Sequence, residues 1–284
     1  MYIKKRMLII CVMGICLMIV GAYRWGKWTA LPKREKFNIN VKYGDDFSKI
    51  NMLNGKGGDS SLSEGAYKVI LYLDSQCSAC MKKMSAMKHY QKVFKGENVE
   101  FYVLWADKMA KVDYKSVGME EAKILQMKHE QISTDIPTAY ILDKANKVIY
   151  ITDDTSTVTR KLFTLEGIDR ERVKKKAADY LKKEFKKGSK IPVIYFAMDG
   201  CPDCEAVDPV VYSEEIKKEA EIVKLYTEES YGEQGFVDMD EIFMSVFDIS
   251  WYPSFLVLAG EEYKVIGETN VSQLEEELLR SFSK

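Results

Sequence analysis

The sequence VILYLDSQCSACMKKM, at residues 69–84, combines three features in a fixed order. Its first five residues are apolar and include β-branched and aromatic side chains, which predicts a buried β-strand. Cys77 and Cys80 come next and are separated by two residues. After them, methionines recur at every third position, a spacing typical of one face of a helix. The stretch therefore predicts a strand, a cysteine pair and a helix in immediate succession.

The same order returns 124 residues later, in the sequence IPVIYFAMDGCPDC at residues 191–204, which ends on Cys201 and Cys204. Each cysteine pair is followed by further apolar runs and amphipathic stretches, as in an α/β domain. After the first pair we predict a strand at 99–105, a helix at 119–130 and hairpin strands from 138 to 152. After the second pair we predict a helix from 205, a strand at 221–226, a helix at 241–247, a further hairpin and a closing helix at 272–283. A single repetition at this spacing indicates a duplicated domain, with a basic helix at 169–187 between the copies.

Composition sets the outer limits of the function. The chain has 284 residues, of which 46% are hydrophobic and 30% charged, which is enough to form two ordinary folded domains and excludes a disordered chain. Lys and Arg number 42 against 43 Asp and Glu, so the formal net charge is -1. Such a chain has no general positive field to attract nucleic acid, and we expect no nucleic-acid partner.

The N-terminus has the pattern of a membrane anchor. Three positive residues, Lys4, Lys5 and Arg6, precede the uncharged run at 7–23, which as a helix would rise about 25 Å and nearly cross a bilayer core. We predict a cytoplasmic N-terminus at 1–6, a transmembrane signal anchor at 7–23 and a linker at 24–37. The protein is then a single-pass protein of the cell membrane, with its C-terminal domains extracytoplasmic. A signal peptide cleaved near residues 20–22 remains an alternative.

A strand, a Cys-x-x-Cys pair at a helix start, and a later proline that opens a β-hairpin resemble the thioredoxin fold across residues 38–284. The first copy is similar to membrane-anchored TlpA-like thiol-disulfide oxidoreductases, because residues 37–40, Gly44 and residues 62–63 match an N-terminal hairpin before the redox strand. The second copy is similar to thioredoxin and to thioredoxin-like accessory proteins of bacteriocin systems. The expected fold class is α/β, with thioredoxin-like domain 1 at 38–167, a connecting helix at 168–187 and thioredoxin-like domain 2 at 188–284, after the transmembrane helix.

The resemblance implies a substrate-binding surface beside each cysteine pair. Pro137 and Pro253 match the family's cis-prolines, which face the cysteines, and Ile136 and Tyr252 stand just before them. A cis-proline lacks an N–H and holds extended backbone open, so a substrate strand can pair beside the sulfurs. Gly267 matches the family's glycine after the last strand.

The cysteine spacing suits thiol-disulfide exchange. A thiolate is the attacking species, and the unpaired amides and partial positive charge of a helix N-terminus stabilise it. Cys77 and Cys201 would occupy this place, and Cys80 and Cys204 would resolve the mixed disulfide. All four are therefore the predicted catalytic residues, with no metal and no cofactor besides the cysteines themselves. A four-cysteine zinc site and purely structural disulfides remain as alternatives.

The sequence departs from the family at two kinds of position. Gln76 and Gly200 replace the tryptophan that usually precedes the first cysteine. Leu71 and Tyr195 stand where thioredoxin has a buried carboxylate, six residues before the first cysteine. Proton transfer to the resolving thiol must therefore use water or another group, and Asp74 and Asp199 are candidates, although both positions are also typical of turns.

Local charge distinguishes the two pairs. Lys82 and Lys83 follow the first pair, whereas carboxylates surround the second, at Asp199, Asp203, Glu205 and Asp208. Because carboxylates disfavour a neighbouring thiolate, we expect Cys77 to be the more acidic thiol and the first pair to be the more oxidising.

These patterns predict a membrane-anchored extracytoplasmic thiol-disulfide oxidoreductase. Its expected partners are exported proteins or peptides with thiols or disulfides, the membrane itself through residues 7–23, and a membrane electron-donor protein. An alternative is a redox-inactive thioredoxin-like binding or assembly module in a peptide-export system of the bacteriocin type. A third interpretation has one active domain and one docking domain.

Overall fold

The computed structural model describes residues 37–55, 57–107, 123–128, 130–154, 156–186, 188–226, 239–267 and 270–283. Within these ranges, no helix combines the length and apolar character needed to cross a membrane. The predicted membrane span at 7–23 lies outside the described residues, as do the predicted N-terminal segment at 1–6 and the linker up to residue 36.

The described strands of the first half are β1 (Phe37–Ile39), β2 (Met52–Asn54), β3 (Asp59–Ser60), β4 (Tyr67–Leu73), β5 (Val99–Trp105), β6 (Ile124–Met127), β7 (Glu130–Ile132), β8 (Thr138–Leu142) and β9 (Val148–Thr152). Seven of them form one sheet in the order β3-β2-β6-β5-β4-β8-β9, and β1 pairs separately with β7. Strand β4 pairs in parallel with β5 and antiparallel with β8. The C-terminal end of β4 therefore lies beside the start of β8.

Strand β4 is buried along its whole length, which explains the uninterrupted apolar run from Val69 to Leu73. Alternate side chains enter two different cores: Val69, Leu71 and Leu73 face one, whereas Ile70 and Tyr72 face the other. The core of Val69 includes residues of three helices that precede the second cysteine pair: α1 (Ser78–Val93), α2 (Ser156–Leu162) and α3 (Arg170–Phe185).

The second half repeats the central part of this arrangement with fewer strands. Its described elements are β10 (Ile191–Ala197), α4 (Pro202–Val211), α5 (Glu214–Glu219), β11 (Ala220–Tyr226), α6 (Met239–Phe247), β12 (Ser254–Val257), β13 (Lys264–Gly267) and α7 (Val271–Phe282). The sheet order is β11-β10-β12-β13, with β10 and β11 parallel and the other pairs antiparallel. Residues Val193 and Tyr195 face a core built with α4, α5 and α7, whereas Ile194 and Phe196 face the opposite side.

Both halves contribute side chains to one continuous core. Phe196 of β10 and Phe243 of α6 belong to the same buried cluster as Val69 of β4 and the apolar residues of α1, α2 and α3. A hydrogen bond of 2.9 Å from the Ser245 hydroxyl to the Ser156 carbonyl also joins α6 to α2. The chain from Asn38 onwards accordingly forms one compact unit.

Three predicted elements differ from the structure. The helix expected at 119–130 is wrong in its described part, where β6 and β7 form instead. The tertiary pairing of β6 with β5, and the burial of Ile124 and Leu125 on opposite faces, override the helical tendency of that sequence. The expected N-terminal hairpin is also wrong, because β1 pairs with β7, and β2 forms the hairpin with β3. The helix expected from 205 is two helices, because Ser213 caps α5 separately.

Candidate functional site

The first cysteine pair lies where β4 gives way to α1. A turn joins the two elements, in which an Asp74 carboxylate oxygen accepts a hydrogen bond of 2.8 Å from the Gln76 amide. Cys77 is the N-cap of α1, and its Sγ accepts a hydrogen bond of 3.1 Å from the Cys80 amide. The two cysteines form a disulfide, with their Cα atoms 5.2 Å apart. Asp74 therefore stabilises a turn, as its position in the sequence predicts.

The second pair has the same geometry at the junction of β10 and α4. Cys201 is the N-cap of α4, its Sγ accepts from the Cys204 amide at 3.2 Å, and the Cα atoms of the disulfide are 5.3 Å apart. Gly200 has a φ of 67°, a backbone conformation that favours glycine over other residues. A tryptophan would be strained at this position, which explains why glycine stands there before the second pair.

The two pairs differ in how far they face solvent. Cys77 is partly exposed, and Ser78 and Ala79 beside it are exposed, whereas Cys80 is fully buried. Cys201 has only 6% of its surface exposed. The first pair thus presents its attacking sulfur more openly than the second.

The Ile136-Pro137 and Tyr252-Pro253 bonds are both cis, as predicted, whereas the substrate-binding role of these residues stays a prediction. Antiparallel pairing places Thr138 opposite Tyr72 and Ser254 opposite Phe196. Each proline therefore lies at the same end of the sheet as the turn that carries the cysteine pair of its half. Ile136 and Tyr252 are half-buried and pack against the cores.

In each half, a central strand leads into a cysteine-capped helix, pairs in parallel with the next strand, and pairs antiparallel with a strand that follows a cis-proline. Both halves have the thioredoxin-like fold.

A cleft of about 520 Å³ opens beside the second pair. It brings α4 together with the proline loop and the start of α7, and its lining includes Asp203, Val207, Trp251, Tyr252, Pro253 and Asn270. Trp251 is 54% exposed, so a large aromatic ring faces solvent at the edge of the cleft. The predicted residues Tyr252 and Pro253 thus share one concave surface with the cysteine helix.

Behind the second pair lies a polar cluster that the sequence analysis did not identify. The Tyr195 hydroxyl lies 3.1 Å from the Cys204 carbonyl oxygen and 3.0 Å from an Asp208 carboxylate oxygen. The Lys224 ammonium contacts both oxygens of Asp208, at 3.1 and 3.0 Å. In the sequence, Asp208 stands out only as one of the carboxylates around the second pair. Asp208 lies four residues after Cys204 and therefore on the same face of the helix, and this spacing could have indicated that its side chain lies near the cysteine.

The surroundings of the first pair include another carboxylate that the sequence analysis missed. The Ser75 hydroxyl donates a short hydrogen bond to Asp107, and the Ser75 amide donates to the same carboxylate at 3.3 Å. Asp107 follows β5, and β5 is the parallel neighbour of β4. In the sequence, Asp107 and the cysteine turn each come directly after a predicted strand, and this pattern could have indicated that they lie close together. Lys83, expected to raise the local positive charge, forms an ion pair with Glu241 at 2.5 Å.

Among the described residues, no group of three or more His, Cys, Asp and Glu side chains could hold a metal ion. The four cysteines form two separate disulfides, each within its own half, rather than one shared site.

Comparison with known proteins finds no matching protein-family model and no matching curated protein. Solved structures match parts of the chain. A thiol:disulfide interchange protein from Bacteroides sp. is 16% identical, with 44% of this chain and 90% of that chain covered and a TM-score of 0.37. The thioredoxin domain of a thiol-disulfide oxidoreductase from Bacteroides vulgatus is 18% identical, with 43% and 98% covered and a TM-score of 0.34. A domain of a possible thiol-disulfide isomerase from Cytophaga hutchinsonii is 15% identical, with 45% and 95% covered and a TM-score of 0.37. The assignment of the fold rests on the strand order, the cysteine caps and the proline loops.

Proposed function

We propose that the protein is a thiol-disulfide oxidoreductase, anchored in the cell membrane by residues 7–23, which exchanges disulfides with exported proteins or peptides. One observation carries the proposal: in both halves the first cysteine caps a helix, and its Sγ accepts the amide of the second cysteine. After reduction, the same amide and the helix N-terminus would stabilise a thiolate on that sulfur.

The reaction needs only the two cysteines of a pair and a substrate disulfide. The Cys77 or Cys201 thiolate attacks one substrate sulfur, so that a mixed disulfide forms and one substrate thiolate leaves. The second cysteine, Cys80 or Cys204, loses its proton and attacks the first, which re-forms the disulfide described above and releases the second thiolate. Two electrons pass from the cysteine pair to the substrate, and the reverse sequence oxidises a substrate dithiol.

A disulfide-reduction assay on the full-length chain in detergent tests the proposal. With dithiothreitol as the electron source, the protein should accelerate insulin reduction, and a Cys77→Ser/Cys201→Ser double variant should abolish the acceleration. Each single variant assigns the activity to one half. Full activity in the double variant would end the enzyme interpretation. A reporter fused after Lys284 tests the proposed topology, since an exported location predicts activity only of reporters that function outside the cytoplasm.

One observation favours a second candidate, in which the second half is a docking domain. Its attacking cysteine is nearly buried, yet Trp251 stands exposed on a cleft large enough for part of an extended peptide. Under this alternative, cysteine-free peptides would change Trp251 fluorescence, and the Cys201→Ser variant would retain full insulin reduction.

A further inference from the structure

The two halves differ in the side chains behind the resolving cysteine. In the second half, Tyr195 lies six residues before Cys201, Lys224 lies opposite Tyr195 on β11, and Asp208 lies four residues after Cys204. All three contact one another: the Lys224 ammonium also lies 4.9 Å from the centre of the Tyr195 ring. We refer to Tyr195, Asp208 and Lys224 as the polar cluster.

The equivalent positions of the first half are apolar. Leu71 lies six residues before Cys77, Val103 lies opposite Leu71 on β5, and Met84 lies four residues after Cys80. All three are buried in the shared core. Because three equivalent positions differ together, the polar cluster is a property of the second site and not of the fold.

The hydrogen-bond pattern shows that the cluster can accept a proton. A tyrosine hydroxyl has one hydrogen, but the Tyr195 oxygen lies within bonding distance of two acceptors, the Cys204 carbonyl and the Asp208 carboxylate. If Asp208 binds a proton, it can donate to Tyr195, and Tyr195 can donate to the Cys204 carbonyl. Lys224 still holds the other carboxylate oxygen at 3.0 Å. The added proton thus lets both acceptors of the tyrosine be satisfied at once.

We infer that Asp208 takes up the proton of the Cys204 thiol when that cysteine attacks the mixed disulfide on Cys201, with Tyr195 and Lys224 as positioning residues. This inference rests on the proposed function. Side chains four residues apart on a helix have Cβ atoms about 6 Å apart, within reach directly or through one water. The proton moves from sulfur to the carboxylate, the new thiolate forms the Cys201–Cys204 bond, and the substrate thiolate leaves. The Asp208 side chain is 34% exposed, so it can then return the proton to solvent.

Other charged groups near the cluster are arranged differently. On α4 itself, Asp203 and Glu205 are exposed. From α7, Glu275 accepts a hydrogen bond from Ser213, beyond the far end of α4. Lys224 and Tyr195 face Asp208 from the sheet. Glu205 therefore offers a matched control, because it is a carboxylate on the same helix that is adjacent to Cys204 in sequence and lies outside the cluster.

The test uses the full-length chain with Cys11, Cys16, Cys77 and Cys80 all replaced by serine, so that only the second pair reacts. The reduced protein is mixed with a stoichiometric amount of dithiobis(nitrobenzoate), whose two thiolates are released in sequence. The first release reports attack by Cys201, and the second reports resolution by Cys204. In Asp208→Asn we expect the second phase to slow by about 10-fold at neutral pH, with the first phase little changed. The second-phase rate of the variant should then rise steeply with pH, because solvent must remove the thiol proton.

Tyr195→Phe keeps the ring that stacks on Phe255 and removes only the hydroxyl, so we expect a smaller slowing, of about 3-fold. Glu205→Gln should leave the second phase unchanged, and it can only speed the first, because it removes a carboxylate near Cys201. An unaltered second phase in Asp208→Asn, or an equal slowing in Glu205→Gln, would overturn the inference while leaving the proposed function intact. If the parent protein itself releases no thiolate, the proposed function fails and the inference fails with it.

Discussion

Cys77 and Cys201 cap equivalent helices but differ in exposure and in nearby charge. Cys77 is partly open to solvent, whereas Cys201 is 6% exposed and the exposed carboxylates of Asp203 and Glu205 follow it on α4. The positive charge expected beside the first pair is smaller than the sequence suggests, because Lys83 is paired with Glu241. The carboxylates near Cys201 therefore carry most of the predicted difference between the two thiols.

We predict that Cys77 is alkylated faster than Cys201, roughly 10-fold at neutral pH, because Cys77 is more exposed and we expect it to be the more acidic thiol. The measurement uses two full-length variants, in which Cys77 or Cys201 is the only cysteine left, treated with iodoacetamide across a range of pH. The rate in denaturant supplies the control, since unfolding removes differences in environment. Faster alkylation of folded Cys201 would contradict the predicted order.

Glu97 is a buried carboxylate that joins the first half to α3. Its oxygens accept hydrogen bonds from the Arg172 side chain at 2.7 and 2.6 Å, from Lys176 at 3.0 Å and from the Asp169 amide at 3.2 Å. The Arg172 hydrogen bonds, followed by those of Lys176 and Asp169, overcome burial and lower the pKa of Glu97 from 4.5 to about 2. The charged carboxylate is therefore stabilised by folding.

We predict that Glu97→Gln lowers the free energy of unfolding by about 2 kcal/mol at pH 7, less than the full pKa shift implies because Arg172 is half-exposed. A depressed pKa contributes stability above pH 4.5 that is lost as the pH falls toward 2. The difference between wild type and variant should accordingly shrink as the pH is lowered through this range. Urea titrations at several pH values measure it, and a constant difference would exclude the carboxylate charge as its source.

Individual helices and strands were predictable from the sequence where the local residue pattern favours the same secondary structure that tertiary packing requires. The strand at 99–105 matches β5 residue for residue, and the basic helix predicted at 169–187 forms as α3, with Asp169 as its N-cap. The segment around Ile124 was mispredicted because its pairing with β5 is a long-range contact that no local spacing reveals. The same limit applies to the polar cluster, since Lys224 meets Asp208 only once β11 has paired with β10.

The face of α1 opposite its own sheet meets α3 and α6 through an aromatic contact. His89 is buried there, with its Nδ1 2.9 Å from the Tyr180 hydroxyl and its ring 6.3 Å from that of Phe243. Burial, with a smaller effect of Lys88, lowers the pKa of His89 from 6.5 to about 4. The neutral imidazole is thus the form that this contact requires.

We predict that acid weakens the contact through this histidine. Because the folded pKa lies below the unfolded one, the contribution of His89 is intact above pH 6.5 and is lost as the pH falls toward 4, by up to about 3 kcal/mol. His89→Gln should flatten the dependence of unfolding free energy on pH across this window. His129→Gln serves as the matched control for loss of a histidine. An unchanged slope in His89→Gln would show that other groups cause the acid sensitivity.

At the scale of the whole molecule, the two halves share a core instead of standing apart on a connecting helix. The repeated pattern of the sequence predicted two thioredoxin-like units, because each cysteine motif recurs with its own strands and helices. It did not predict that α6 would bury Phe243 and Val246 in the same cluster as Met84 and Tyr90 of α1. An apolar stripe indicates that a helix face is buried, but not which surface covers it.

We therefore predict that the two halves unfold together, so that damage to α6 in the second half also exposes the first. Phe243 is fully buried, and Phe243→Ala should remove about 3 kcal/mol of stability. Cys80 and Cys204 are buried, one in each half, and after reduction their alkylation can be followed separately by mass spectrometry across a denaturant series. The variant should shift both midpoints downward by the same amount, whereas Val265→Ala, at a partly exposed position on β13, should shift neither. A shift confined to Cys204 would mean that the halves are energetically independent despite their common core.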